Sequence, residues 1–268
     1  MEKPLNGSVA TVEERRRGRV LGVPIDAVSW ETALDRILGW ARQRSSRYVC
    51  ICNAHVTVTA AQEPDFWRVV EAADMATPDG APVAWMMRRI GFPGQARVNG
   101  PDLTWKLCRR CADDGVSVFF VGGAESTLDR LRGNLLEAFP GLSIAGMESP
   151  PFRPLTEDED RSLVERINAG GAGVVFVGLG CPKQERWMAE HRGRVNGVMI
   201  GVGAAFDFHA GTVKRAPRWM QRVGLEWLHR LASEPGRLWR RYLVTNSLFV
   251  LGALRQLLGP GPRQRGER

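Results

Sequence analysis

No stretch of about 18 apolar residues occurs, the length a helix needs to cross a bilayer. The best candidate, residues 243–258, is broken by Thr245, Asn246, Ser247, Arg255 and Gln256. A multi-pass membrane protein is therefore excluded. The first 19 residues are polar and reach a charge cluster at 13–17 without the apolar centre of a secretory signal. The chain is expected to stay in a reducing cytoplasm, and its five cysteines, an odd number, fit that compartment. Cys50 and Cys52 alternate within an apolar run, and Cys108 and Cys111 lie one helical turn apart beside Leu107. They read as small core residues rather than as a zinc site.

Common catalytic signatures are missing too. There is no GxxxxGK[ST] loop and no HExxH, and the four histidines lack metal-ligand spacing. Ser126 and Ser149 have no nucleophile-elbow context. Gly201-Val202-Gly203 starts like a dinucleotide fingerprint, but Phe206 stands where the third glycine belongs. That weakens a nicotinamide-dependent oxidoreductase, and no cofactor is expected. Asp158 and Asp160 form a nominal DxD, yet they fall where acidic residues open a helix and favour its dipole.

What is present is an ordinary globular balance, 44% hydrophobic and 25% charged over 268 residues, which excludes wholesale disorder. The net charge of +8 is unevenly placed: residues 214–268 carry +9, leaving −1 for residues 1–213. A basic end on a near-neutral body suggests an anionic partner for that end alone, whether nucleic acid, a phospholipid surface or a phosphorylated substrate.

Residues 1–18 read as a disordered leader and 20–25 as a short strand. A helix capped by Ser29 follows, with Trp30, Ala33, Leu34, Ile37, Leu38 and Ala41 at helical spacing. Strand 48–52, two short helices separated by Pro64, the turn Pro78-Asp79-Gly80 and a helix over 82–90 come next. From Pro101 onward, helices alternate with apolar strands at 116–121, 142–145, 174–177 and 198–200, most of which end in glycine. This rhythm predicts an α/β fold, a Rossmann-like parallel sheet with helices on both faces, spanning residues 19–212. The loops after the strands, including 122–123, 147–150, 178–185 and 201–207, should converge at one edge as the ligand crevice. Residues 213–258 form a basic amphipathic helical appendage, and 259–268 a flexible tail. Its Trp and Leu residues fit either a membrane surface or ordinary packing.

Asn53 and His55 follow a buried strand, Asp79 sits in a turn, and Pro182-Lys183-Gln184-Glu185 opens a helix after Gly178-Leu179-Gly180. Such residues serve equally as caps or as site residues, but their common position at strand ends points to function. They occur in order with Arg97-Val98-Asn99-Gly100-Pro101-Asp102, Gly201-Val202-Gly203-Ala204-Ala205-Phe206-Asp207, Lys214-Arg215-Ala216-Pro217 and a string from Gly224-Leu225-Glu226-Trp227 to Ser233-Glu234-Pro235. Together these motifs, over roughly residues 20–245, resemble the WecG/TagA/CpsF glycosyltransferase family.

The resemblance implies inverting, metal-independent transfer of N-acetylmannosamine or a related sugar from a UDP-sugar to an undecaprenyl-diphosphate-linked sugar. Such transfer serves cell-surface polysaccharide or teichoic acid synthesis. It implies Asp79 as general base, Asn53, Arg97, Gln184 and Asp207 as substrate-binding residues, and Arg230, Arg237 and Arg240 facing the diphosphate or the membrane. Some members carry Thr two residues before the Asn, where this chain has Ile51. The expected partners are the UDP-sugar donor, the polyprenyl-diphosphate-linked acceptor and an anionic membrane surface, with no nucleic acid and a homo-oligomer left open. The expected location is cytoplasmic, peripheral on the inner face of the plasma membrane. Transfer of glucose or an N-acetylmannosaminuronic acid unit in exopolysaccharide assembly is the alternative activity, and a nucleic-acid-binding protein with a basic tail is the non-enzyme alternative.

Overall fold

The computed structural model describes residues 15–259; the rest of the expected leader, 1–14, and residues 260–268 of the expected tail lie outside the described residues. The chain opens with β1 (Arg17–Val20) and β2 (Val23–Asp26). One strand is expected over 20–25, but Leu21 and Gly22 adopt φ of +53° and +80°, which turns the chain into an antiparallel hairpin. Buried Asp26 anchors it, accepting from Arg15 Nε and Nη2 at 2.6 and 2.8 Å and from the Ala76 backbone N–H. Ordered structure thus reaches into the span expected as leader.

Helix α1 (Trp30–Arg42) starts at Ser29, whose hydroxyl accepts from the Thr32 N–H. Then come β3 (Arg47–Cys52), α2 (Ala54–Gln62), α3 (Pro64–Glu71), β4 (Met75–Pro78), α4 (Gly80–Arg89) and α5 (Gly100–Asp114). The regular half follows as β5 (Val118–Gly122), α6 (Glu125–Ala138), β6 (Ile144–Glu148), α7 (Glu157–Ala169), β7 (Val174–Gly178), α8 (Lys183–Glu190), β8 (Val198–Gly201) and α9 (Ala205–His209). The chain ends in α10 (Arg218–Arg222), α11 (Glu226–Ser233) and the 24-residue α12 (Pro235–Leu258).

Six strands form one parallel sheet in the order β4-β3-β8-β7-β5-β6, so the two strands before residue 101 join the four after it. Strand side chains alternate between two cores, as the period of two requires. Val49, Ile51, Phe120, Phe176 and Ile200 pack with α1, α5, α6 and α9. Tyr48, Cys50, Cys52, Phe119, Val175 and Met199 pack with the hairpin, α2, α3, α4, α7 and α8. Cys50 and Cys52 therefore lie on the opposite face of the sheet from Cys108 and Cys111 and cannot share an ion with them. The acidic run does open α7: Thr156 and Glu159 form a reciprocal capping box.

The C-terminal segment is not detached from this body. Phe249 and Ala253 of α12 are buried in the second core, and Gln256 accepts from the Leu21 N–H and donates to the Arg19 carbonyl. Its outer side exposes Leu243, Val244, Val250, Leu251, Leu254, Leu257 and Leu258. No helix of the described residues is long and apolar enough to cross a membrane.

Candidate active site

Parallel strands place all their carboxyl ends at one edge, and each is followed by a loop that opens there. Asn53 follows β3, Asp79 follows β4, Gly123 follows β5, Leu179 follows β7 and Val202 follows β8. These residues line a cavity of about 1110 Å³. Ligand pockets run to roughly 1,000 Å³, so the space suits a substrate of two parts. Glycine is required where these loops approach each other. A Cβ on Gly122, at φ +114°, would fall 2.7 Å from the Gly178 backbone.

Asp79 is the N-cap of α4, and its Oδ1 accepts from the Gly80 N–H at 2.6 Å. The same oxygen accepts from Arg97 Nε at 3.1 Å. The other end of that guanidinium, Nη2, donates to Glu226 Oε2 at 2.5 Å. Arg215 reaches the second Glu226 oxygen at 3.5 Å and donates through both terminal nitrogens to Asp102. Asp102 also accepts from Asn99 Nδ2, and its backbone N–H donates to Oδ1 of Asn99, the N-cap of α5. The result is an alternating chain of charges, Asp79, Arg97, Glu226, Arg215 and Asp102, drawn from distant parts of the sequence.

Burial raises the Asp79 carboxyl above its ordinary value; Arg97 opposes this and Glu226 adds to it. Burial works against the Arg97 charge, but Asp79 and Glu226 outweigh it and hold the guanidinium protonated. A partly shielded carboxylate of raised basicity, 15% exposed at the cavity wall, is suited to accept a proton.

Asn53 caps α2, its Oδ1 accepting from the His55 and Val56 N–H groups, and it also lines the cavity. The capping and site readings thus hold together. Gln184 is nearly buried. Its Oε1 accepts from the Gly180 and Gly203 N–H groups at 3.2 and 3.1 Å, and its Nε2 donates to Glu185 at 2.9 Å. It clamps two glycine loops, with Gly201 leaving room: a Cβ there would sit 2.8 Å from Met188 and 3.0 Å from Gln184. Losing three hydrogen bonds, one buried and two part-buried, with each unsatisfied buried group costing about 1–3 kcal/mol, should make Gln184→Ala unfold at lower denaturant and impair catalysis. An unchanged unfolding midpoint would remove the clamp from this account.

Asp207 lines the cavity from α9, and Thr212 bonds its backbone and carboxylate. Of the three arginines singled out in the appendage, Arg230 lines the cavity, its guanidinium 5.3 Å from the Phe208 ring centroid. Arg240 does not. It is exposed beside Trp239, because the inward face of α12 runs through Leu238, Arg241, Thr245 and Phe249. The Arg237 side chain lies outside the described residues. Arg241 instead enters the cavity wall, with Tyr242, Thr245 and Asn246. Periodicity groups Arg241 with Thr245, but only the packing of α12 on α2 reveals which face turns inward. His55, near Thr245 Oγ1, is pulled down to about 4, mainly by burial and further by Arg241, so it is neutral at pH 7. Ile51 is apolar at the cavity wall. Sequence reasoning also missed Glu226 as a site residue, although it stands in the quoted Gly224-Leu225-Glu226-Trp227 string.

Residues 18–263 match the model of the glycosyl transferase WecG/TagA/CpsF family. The chain is also similar to an N-acetylglucosaminyldiphosphoundecaprenol N-acetyl-β-D-mannosaminyltransferase of Bacillus spizizenii, with 33% identity over 202 residues, covering 75% of this chain and 76% of that protein.

Proposed function

The chain belongs to the WecG/TagA/CpsF glycosyltransferase family, and we propose that it moves N-acetylmannosamine or a related sugar from a UDP-sugar to a polyprenyl-diphosphate-linked sugar with inversion. Membership makes it a glycosyltransferase in place of the oxidoreductase and nucleic-acid-binding readings. One observation carries the rest: a partly shielded carboxylate, Asp79, shares one crevice with Arg97, Lys183, Arg230 and Arg241.

In the proposed step, the acceptor hydroxyl oxygen attacks the anomeric carbon from the face opposite the nucleotide. Its proton passes to Asp79 as the new C–O bond forms. The bond from the anomeric carbon to the diphosphate oxygen breaks, and UDP leaves with the electron pair. The cationic side chains and the loop N–H groups offset the charge that develops on the diphosphate, which supports transfer without a metal. Asn53, Asp207 and the loops held by Gln184 bind the donor. The apolar Ile51 faces the crevice and offers no hydroxyl to the donor, so the UDP-sugar screen reads the donor identity directly.

The test is a screen of UDP-sugars with a short-chain polyprenyl-diphosphate-N-acetylglucosamine. Transfer should occur with one N-acetylated UDP-sugar and persist in EDTA. Complete loss in EDTA, restored by a divalent ion, would contradict the metal-free reading.

Association with an anionic membrane follows from the outer side of α12. Its exposed leucines and valines lie beside Arg240 and Arg255, and each basic residue near such a surface contributes about 1 kcal/mol. Binding to phosphatidylglycerol vesicles should weaken with salt and drop at least about tenfold in Leu251→Asp/Leu254→Asp, because two negative charges replace two exposed apolar side chains that would enter the membrane. Unchanged vesicle binding by that variant would move the membrane surface elsewhere.

A further inference from the structure

The Asp79–Arg97 pair has an unusual geometry for an arginine and a carboxylate. A guanidinium beside one carboxylate commonly makes two parallel bonds to it. Here Arg97 gives Nε to Asp79 at 3.1 Å and Nη2 to Glu226 at 2.5 Å, so one cation is divided between two acids. All three side chains are sheltered, at 15, 22 and 14% exposure for Asp79, Arg97 and Glu226. Charges interact more strongly there than in bulk water.

Glu226 reaches this place by a built route. It opens α11 immediately after a turn in which Gly224 has φ +79°. A Cβ on Gly224 would sit 2.7 Å from the Ala81 side chain, two residues beyond Asp79. Only glycine lets the turn lie that close to the start of α4. On its far side Glu226 is held by Arg215, which is itself fixed to Asp102.

We propose that Glu226 is a positioning residue of the active site: by taking one end of Arg97, the C-terminal helices keep Asp79 a proton acceptor instead of a neutralised ion-pair partner. The proposal rests on the reading of Asp79 as the base. The charged and titratable groups bearing on Asp79 are Arg97 and Glu226, with Arg215 behind Glu226 and the Cys52 thiol in the core beneath. Arg97, and to a lesser extent the Gly80 N–H, lowers the basicity of Asp79, and Glu226 raises it. Without the Glu226 charge, Arg97 would bind Asp79 more tightly. The carboxylate would then lose its proton at lower pH and accept one less readily from the acceptor hydroxyl.

The experiment measures pH profiles of kcat and KM on the full chain with UDP-N-acetylmannosamine and polyprenyl-diphosphate-N-acetylglucosamine. Glu226→Gln keeps an oxygen for Arg97 and removes the charge. It should lower kcat about 3- to 30-fold, leave the donor KM within about twofold, and move the acid limb of the profile to lower pH. Glu226→Asp should keep the limb near its wild-type position, because the charge remains. Arg215→Gln frees Glu226 to act on Arg97 and should move the limb the opposite way, which keeps the test open should Glu226→Gln fold poorly. Acid limbs unmoved in both Glu226→Gln and Arg215→Gln would overturn the proposal. The base reading fails separately, if Asp79→Asn still transfers sugar; an inactive Asp79→Asn with unmoved limbs in the other variants removes only the role of Glu226.

Discussion

Asp79→Asn should lower turnover about 10²–10⁴-fold while leaving the melting temperature nearly unchanged. The two halves of that expectation have separate causes. Asparagine caps a helix as well as aspartate, so α4 keeps its start at Gly80. Burial raises the Asp79 carboxyl above its ordinary value, so ionising it in the folded state is unfavourable, and the neutral amide removes that cost. Arg97 retains Glu226 as a partner. What disappears is the capacity to accept a proton. Transfer at near wild-type rate by the variant, measured under saturating donor and acceptor, would leave Asp79 a capping residue only.

Ending the chain after Val213 should abolish transfer and destabilise the body. All the parallel strands precede this point, and the pattern of alternating strands and helices predicts that the sheet survives as a folded unit. The structure adds a cost. Leu238 and Phe249 of α12 are buried, at about 1.5–3 kcal/mol each, and their removal uncovers the apolar side of α2 and of the hairpin. Activity falls for a different reason: Glu226, Arg230 and Arg241 leave the crevice wall. The melting transition should therefore move down while remaining cooperative, with vesicle binding reduced. A truncated chain that transfers sugar at the full-length rate would exclude the C-terminal helices from the site.

The sheet was legible because most of its strands are apolar runs, three of which (β5, β7 and β8) end in glycine, and its helices carry their own caps at Ser29, Asn53, Asp79 and Thr156. The edge where the loops meet followed from parallel topology alone, and Asn53, Asp79, Arg97, Gln184 and Asp207 all line it. Two kinds of feature were not legible. The Leu21-Gly22 turn sits inside an apolar run, so the hairpin looked like one strand. In the appendage, charge density does not say which arginine turns inward. Helical phase and the seat of α12 on α2 select Arg241 over Arg240. Glu226 was hidden for a related reason, since an acid in the first turn of a helix is ordinarily satisfied by the dipole, and only tertiary packing brings it to Arg97.

The most direct test of inverting transfer with Asp79 as base is the anomeric configuration of the product, read by proton NMR. The purified chain would be given α-configured UDP-N-acetylmannosamine and a short-chain polyprenyl-diphosphate-N-acetylglucosamine, with Asp79→Asn run in parallel. A β-linked disaccharide from the wild type and essentially none from the variant is the predicted result. An α-linked product, or a β-linked product formed equally well by Asp79→Asn, would contradict it.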